Sequence, residues 1–358
     1  MTSNRRKTVA NASKRSSTWS KTAAERNKLG QFATPPRLAA NILTYVKSIW
    51  EQNPRLVRFL DPAIGTGAFY SALQHVFLRG SVATAAGIEL DPGFAKTAAS
   101  LWAKLGLDIT LGDFTKLDPP PVSRRFNLVV ANPPYVRHHH LEAADKERLR
   151  KAVLKNLGIT LSGLSGLYCY FLLLCHSWLE ENGLAVWLIP SGFMDVNYGD
   201  GIRRYLTENV TLLHIHRFCP SDVQFSDALV SSAVVVFRNS IPPPGHSVRF
   251  SFGGSLSQPN EDAEIPLEML RKDRKWTKYP ASSLFAAAQA NASVTLGDVF
   301  SIKRGLATGA NAFFILSDDA VRENGVPSEC VKPILPGPRH LTDAVIEADR
   351  HGLPPCDP

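Results

Sequence analysis

The chain has 358 residues, 44% of them hydrophobic, and a formal net charge of +8, enough apolar material for a large core and for more than one domain. No run approaches the eighteen consecutive apolar residues of a membrane span, and the basic N-terminus lacks the apolar stretch of a signal peptide, so the expectation is a cytoplasmic protein with no membrane partner. The five cysteines, Cys169, Cys175, Cys219, Cys330 and Cys356, are scattered and include no C-x-x-C pair, which argues against a disulfide framework or a zinc site. Eight Lys or Arg and one acid lie in residues 1–30, so nearly all the positive excess sits on a Ser/Thr/Asn-rich segment. Residues 1–28 are therefore expected to be a disordered basic tail, a solubilising extension more than a binding arm, that could still add non-specific attraction for phosphate.

In chain order, "TPP" at 34–36 leads into a helix whose Leu38, Ile42, Leu43, Val46 and Ile49 recur at helical spacing. A strand at 57–61, a helix at 67–80, a strand at 84–89, a helix at 92–106 and strands at 107–113 and 126–131 follow. Beyond them the pattern predicts a helix at 168–181 closed by Gly183, a strand at 184–190, a helix at 200–208 and strands at 211–218 and 229–237. Strands separated by helices mean an α/β chain with a doubly wound, mostly parallel sheet. The last two strands are close enough to pair antiparallel and end it. At 241 the sequence becomes rich in Pro, Gly and Ser, and a domain boundary is expected there.

In such a sheet, ligands sit at the carboxyl ends of the strands. The first strand ends in "DPAIGTGAF", where Gly65 and Gly67 permit a tight turn; Tyr70 occupies the place where a dinucleotide fingerprint needs a third small residue, which lowers the NAD reading. The second ends in Glu89, an acceptor for ribose hydroxyls or, equally, an acid at a helix N-terminus. The third ends in "GDF", where Asp113 can take an amino group and Phe114 can pack on a ring. The fourth ends in "NPPY", residues 132–135, where two prolines fix the backbone beside an amide and an aromatic ring. The run His138–His140 is expected to be a solvated or phosphate-touching loop rather than a metal site, because adjacent residues on an extended loop point different ways.

This ordered series resembles the S-adenosylmethionine-dependent N6-adenine DNA methyltransferases of restriction-modification systems, in the γ order typified by the Taq-like enzymes. It covers residues 29–237, and "IKRGLATGANAFFIL" and "VKPILPGPRH" resemble the start of a Taq-like recognition domain. The resemblance implies a class I, Rossmann-like fold with a seven-stranded sheet, a catalytic domain at 29–240 and a partial recognition domain at 241–358. No nuclease domain is expected ahead of the core, and the shortened recognition domain implies weak methylation of duplex DNA by this chain alone. The implied cofactor is S-adenosylmethionine. Thr34 would meet its methionine end with Asp61 and the backbone from Ala63 through Gly65 to Gly67 nearby; Glu89 would take the ribose, Asp113 and Phe114 the adenine, and Phe171, Asn132 and Pro134 would wall the pocket.

The implied partners are double-stranded DNA and a cognate restriction endonuclease or specificity subunit. Asn132 and the Pro133 carbonyl would hold the adenine amine, Tyr135 would stack on the flipped base, and Phe225 would close its other face. The tetrapeptide also serves enzymes that methylate glutamine amides or RNA base amines. A non-catalytic DNA-binding subunit that keeps the fold is a further alternative.

Overall fold

A computed structural model describes residues 30–52, 54–78, 80–219, 224, 231–281, 294, 296–301 and 308–334. Two compact units are present, Met1–Asn291 and Ala292–Pro358.

The first unit is built on one sheet. Its strands are β1 (Val57–Asp61), β2 (Val82–Glu89), β3 (Leu107–Leu111), β4 (Phe126–Ala131), β5 (Leu179–Pro190), β6 (Thr211–Arg217), β7 (Ser232–Arg238), β8 (Ser247–Gly254) and β9 (Pro259–Pro266). They lie in the order β3-β2-β1-β4-β5-β7-β6-β8-β9. The first five are parallel, β7 runs antiparallel between β5 and β6, β8 is parallel to β6, and β9 closes the edge antiparallel. Both faces are covered, which is why the central strands read as continuous apolar runs. Alternate side chains divide between two cores: Val129 and Ala131 of β4 join Trp187 of β5 on one face, while Leu128 and Val130 join Val186 on the other.

Helices α1 (Pro36–Trp50), α2 (Ala68–Val76) and α3 (Pro92–Trp102) contribute Ile42, Leu73 and Ala98 to one core. Helices α4 (Ala143–Leu157), α5 (Leu167–Leu174), α6 (Asp200–Glu208) and α7 (Leu267–Lys272) contribute Val153, Tyr170, Tyr205 and Leu270 to the other. No helix among the described residues is long and apolar enough to cross a membrane.

Three expectations need correction. The sheet has nine strands among the described residues, not seven, and the antiparallel pair β6 and β7 does not end it. Past residue 241, β8 pairs with the free edge of β6 and buries Val248 and Phe250, the latter against Trp276 and Tyr279; each such fully buried side chain contributes roughly 1.5–3 kcal/mol. The boundary expected at 241 therefore falls inside the sheet, and the first compact unit continues to Asn291. The helix expected at 168–181 stops at Leu174, and residues from Leu179 onward are already β5. Glu180 is drawn onto the sheet by ion pairs with Arg55 and Arg58 beside and on β1, and Asn182 takes a left-handed φ of 60° next to Gly183. Helix α4 was not anticipated, although Leu149 and Val153 face inward four residues apart and Gly158 caps its end at φ 68°.

The second unit contains the short helices α8 (Leu296–Val299), α9 (Asn311–Phe314) and α10 (Asp318–Glu323), the last capped by Ser317 accepting from the Ala320 N–H.

Candidate active site

Strand order reverses between β1 and β4, and the carboxyl ends of those two strands are where a sheet of this kind leaves a crevice. A cavity of about 720 Å³ lies there. Its wall includes all eleven residues that the resemblance implies for cofactor binding: Thr34, Asp61, Ala63, Gly65, Gly67, Glu89, Asp113, Phe114, Asn132, Pro134 and Phe171.

The N-P-P-Y turn is gripped by the segment just ahead of α1. The Tyr135 N–H donates to the Gly30 carbonyl at 3.0 Å. Gly30 has φ +62°, and a Cβ there would lie 2.4 Å from Tyr135 N, so only glycine lets the two backbones meet. Asn132 Nδ2 donates to the Phe32 carbonyl at 3.0 Å and to Thr34 Oγ1 at 3.1 Å. A carbonyl only accepts, so the contact with Phe32 fixes the amide with its nitrogen on that side and Oδ1 on the other. Asn132 Oδ1 is buried and has no hydrogen-bond partner among the described residues. An acceptor left that way costs roughly 1–3 kcal/mol, so the position suits a ligand that brings an N–H.

Pro133 is buried. Tyr135 is buried too, its ring 5.4 Å from Phe32 and its hydroxyl donating to the Leu188 carbonyl at 3.0 Å; burial raises its pKa. Neither side chain is part of the cavity wall. Phe225 lies outside the described residues.

Across the cavity, the glycine loop is held by the neighbouring strand. Glu89 Oε2 accepts the Gly65 N–H at 2.8 Å and Oε1 accepts the Asp91 N–H at 2.8 Å. Asp91, not Glu89, is the acid at the N-terminus of α3, where it accepts from the Gly93 and Phe94 N–H groups. Asp61 is only 2% exposed and accepts the Ala63 N–H at 3.0 Å. Burial, reinforced by the Glu89 charge, pushes the Asp61 carboxyl up to about 8 against the pull of that hydrogen bond. Burial raises Glu89 as well. Both groups would regain their charge if a cation were placed beside them.

At the end of β3, Phe114 packs between Phe171 and Trp178 at ring distances of 5.1 and 5.3 Å. Asp113 Oδ1 accepts from the Thr115 N–H at 2.9 Å and from its hydroxyl at 2.8 Å. Three parts of the site escaped the sequence reading: the Gly30 and Phe32 carbonyls, Trp102 against the glycine loop, and Arg148 on α4. Gly30 and Phe32 sit just ahead of the Thr34-Pro-Pro signal. Arg148 belongs to an ordinary charged helix, and no local pattern marks it.

Residues 100–225 match the family described as Eco57I restriction-modification methylase, and residues 273–352 match the one described as type II methyltransferase M.Eco57I, C-terminal domain. The chain is 26% identical over 324 residues to the type II methyltransferase M.XamI of Xanthomonas campestris pv. amaranthicola, covering 88% of this chain and 58% of that protein. It is 24% identical to M.AccI of Acinetobacter calcoaceticus, covering 87% of this chain and 57% of the relative. The chain thus spans somewhat more than half the length of these relatives. Among solved structures, the type IIG restriction endonuclease BpuSI superposes with a TM-score of 0.55 at 16% identity, covering 84% of this chain and 40% of that one. A type I restriction-modification methyltransferase subunit from Streptococcus thermophilus superposes with a TM-score of 0.51 at 16% identity, covering 74% of this chain and 54% of that one.

Proposed function

We propose, from the Eco57I restriction-modification methylase match over residues 100–225 and a fold shared with a type I restriction-modification methyltransferase subunit, that the chain transfers a methyl group from S-adenosylmethionine to the exocyclic N6 amine of adenine in DNA. The observation that carries this reading is Asn132 Oδ1, a buried acceptor with no partner among the described residues, held in place by its own Nδ2.

The residues around the cavity fit the cofactor. Asp61 and Glu89 are buried acids able to face an ammonium or ribose hydroxyls, and Phe114 offers an apolar surface to a purine. At Gly65, an added Cβ would meet nothing within 4 Å, so the loop leaves space for a ligand beside its backbone. Bound there, the cofactor supplies an electrophilic methyl carried on sulfur.

Asn132 Oδ1 and the Pro133 carbonyl each accept one N–H of the amine and draw its nitrogen toward tetrahedral geometry. That frees a lone pair otherwise delocalised into the ring. With the cofactor bound, the N–C bond would form as the C–S bond breaks with its electron pair left on sulfur, and the proton then lost by the nitrogen would pass to solvent water. Reaching that position requires the base to leave the duplex; the resemblance gives its stacking faces to Tyr135, whose ring is buried beside Phe32 and would have to be uncovered, and to Phe225. The role is modification in a restriction-modification system, alongside an endonuclease or specificity partner; M.XamI and M.AccI, by their names, are type II methyltransferases.

The test is to incubate duplex DNA with the protein and tritiated S-adenosylmethionine, then digest and identify the labelled nucleoside. N6-methyladenosine as its deoxynucleoside supports the proposal. Label in cytosine, in RNA or only in protein overturns it.

A further inference from the structure

Asp113, Thr115 and Arg148 form a chain of hydrogen bonds along the cavity wall. Arg148 donates from Nη1 to the Thr115 carbonyl at 2.8 Å and from Nη2 to Thr115 Oγ1 at 3.0 Å. The other edge of the guanidinium donates to Asp145 Oδ1, from Nε at 3.3 Å and from Nη2 at 3.2 Å. A guanidinium has donors only, so Thr115 Oγ1 accepts from Arg148 and must send its own proton elsewhere. That proton goes to Asp113 Oδ1 at 2.8 Å, which also receives the Thr115 N–H at 2.9 Å. Oδ1 is thereby supplied with two donors. Oδ2 takes neither of those donors; it is ion-paired with Lys116 Nζ at 3.7 Å, beyond a normal hydrogen bond.

We propose that Arg148 is a positioning residue for the cofactor: through Thr115 it fixes which oxygen of Asp113 is offered to the 6-amino group of the purine, so that the site selects a 6-amino purine over a 6-oxo one. This rests on the S-adenosylmethionine reading and adds a selectivity to it. A 6-oxo purine brings a carbonyl to the place where Asp113 offers lone pairs, and the two repel. Without Arg148 the Thr115 hydroxyl is free to turn, Asp113 can reorient, and the discrimination relaxes. Arg148 also ties α4 to the segment that follows β3.

The test is calorimetric titration of the full chain with S-adenosylhomocysteine and with S-inosylhomocysteine, its 6-oxo counterpart. Wild type is expected to prefer the adenosyl ligand by about tenfold or more. Arg148→Met keeps the aliphatic stem without the donors and should lose about tenfold in affinity for the adenosyl ligand while the inosyl affinity stays level. Arg148→Lys should restore only part of the preference, because one ammonium cannot reproduce the fork. Thr115→Val removes the relay and leaves Arg148 in place; it should collapse the preference equally, and the double variant should be no worse than either single one.

Equal weakening of both ligands by Arg148→Met and Thr115→Val, or a wild type that binds both alike, overturns the assignment. A preference that survives Thr115→Val overturns it too, even if Arg148→Met fails to fold. A wild type that binds neither ligand overturns the cofactor reading itself, an outcome distinct from the others.

Discussion

Asn132 and Tyr135 share one turn, yet their surroundings give them different work. The Asn132 nitrogen is committed to Phe32 and Thr34 and its oxygen has no partner among the described residues, whereas Tyr135 is buried with its hydroxyl on the Leu188 carbonyl. Removing one donor or acceptor aimed at developing charge costs about 10²–10³ in rate. Asn132→Ala should therefore abolish methyl transfer while cofactor affinity, read by calorimetry, changes by less than about tenfold. Tyr135→Phe loses the hydroxyl's hydrogen bonds with the Leu188 carbonyl and Ser232, about 0.5–1.5 kcal/mol of stability each, but keeps the ring. It should retain substantial activity, and Tyr135→Ala should retain far less. A Tyr135→Phe variant as inactive as Asn132→Ala would mean that the hydroxyl takes part in the reaction.

At the scale of elements, the glycine loop between β1 and α2 depends on two glycines for different reasons. Gly67 has φ +86°, and a Cβ there would lie 2.4 Å from Trp102 Nε1, the nitrogen that donates to the Thr66 carbonyl at 2.8 Å. Gly65 has φ +54°, and a Cβ there would meet nothing within 4 Å. Gly67→Ala therefore combines a strained φ with displacement of a buried indole and should destabilise by about 2–4 kcal/mol in urea unfolding. Gly65→Ala bears only the backbone term and should cost about 1–2 kcal/mol. Equal losses would show that Trp102 yields freely. At the far edge of the sheet, β9 is bounded by Pro259 and Pro266 and carries Glu261, Asp262 and Glu264. Prolines and charges on an outer strand discourage further pairing. Asp262 is also held by Arg249 at 2.5 Å.

For the whole molecule, two buried polar sites set opposing pH dependences. Asp61 is raised from 3.8 to about 8, so the folded state holds a proton that the unfolded chain releases across that window. Its stabilisation is complete below about pH 3.8 and is lost as the pH rises through about 8. His214 and His216 share Ser251 Oγ at 2.7 and 2.8 Å, and burial holds them down to about 3 and about 4. Their contribution is present above about 6.5 and is lost as the pH falls through those lowered values. The difference in unfolding free energy between wild type and Asp61→Asn isolates the first effect. It should move against wild type steadily from pH 4 to pH 8, and a flat difference would mean that Asp61 is ionised throughout. Charge is just as unevenly placed along the chain, with eight of its basic residues in the first thirty. DNA affinity should fall steeply with salt, and removal of residues 1–28 should flatten that slope in a filter-binding titration. An unchanged slope would place the phosphate contacts on the folded core.

The sequence by itself determined the alternation of strands and helices, the buried central strands, and which residues stand at the strand ends. These follow from local periodicity and from turn chemistry at glycine and proline, which nearby residues dictate. Asp61, Glu89, Asp113 and Asn132 could be named because each lies at or just past the end of its own strand, and Gly65 because it turns the loop that follows the first. Tertiary structure alone decided what those residues do to one another. Asn132 is oriented by a carbonyl a hundred residues earlier in the chain, Glu180 is pulled into β5 by arginines beside and on β1, and β8 continues the sheet because β6 leaves an edge to cover. Arg148 reaches Thr115 across thirty-three residues. Contacts of that separation leave no periodic trace, because they depend on where the folded backbone brings two segments together.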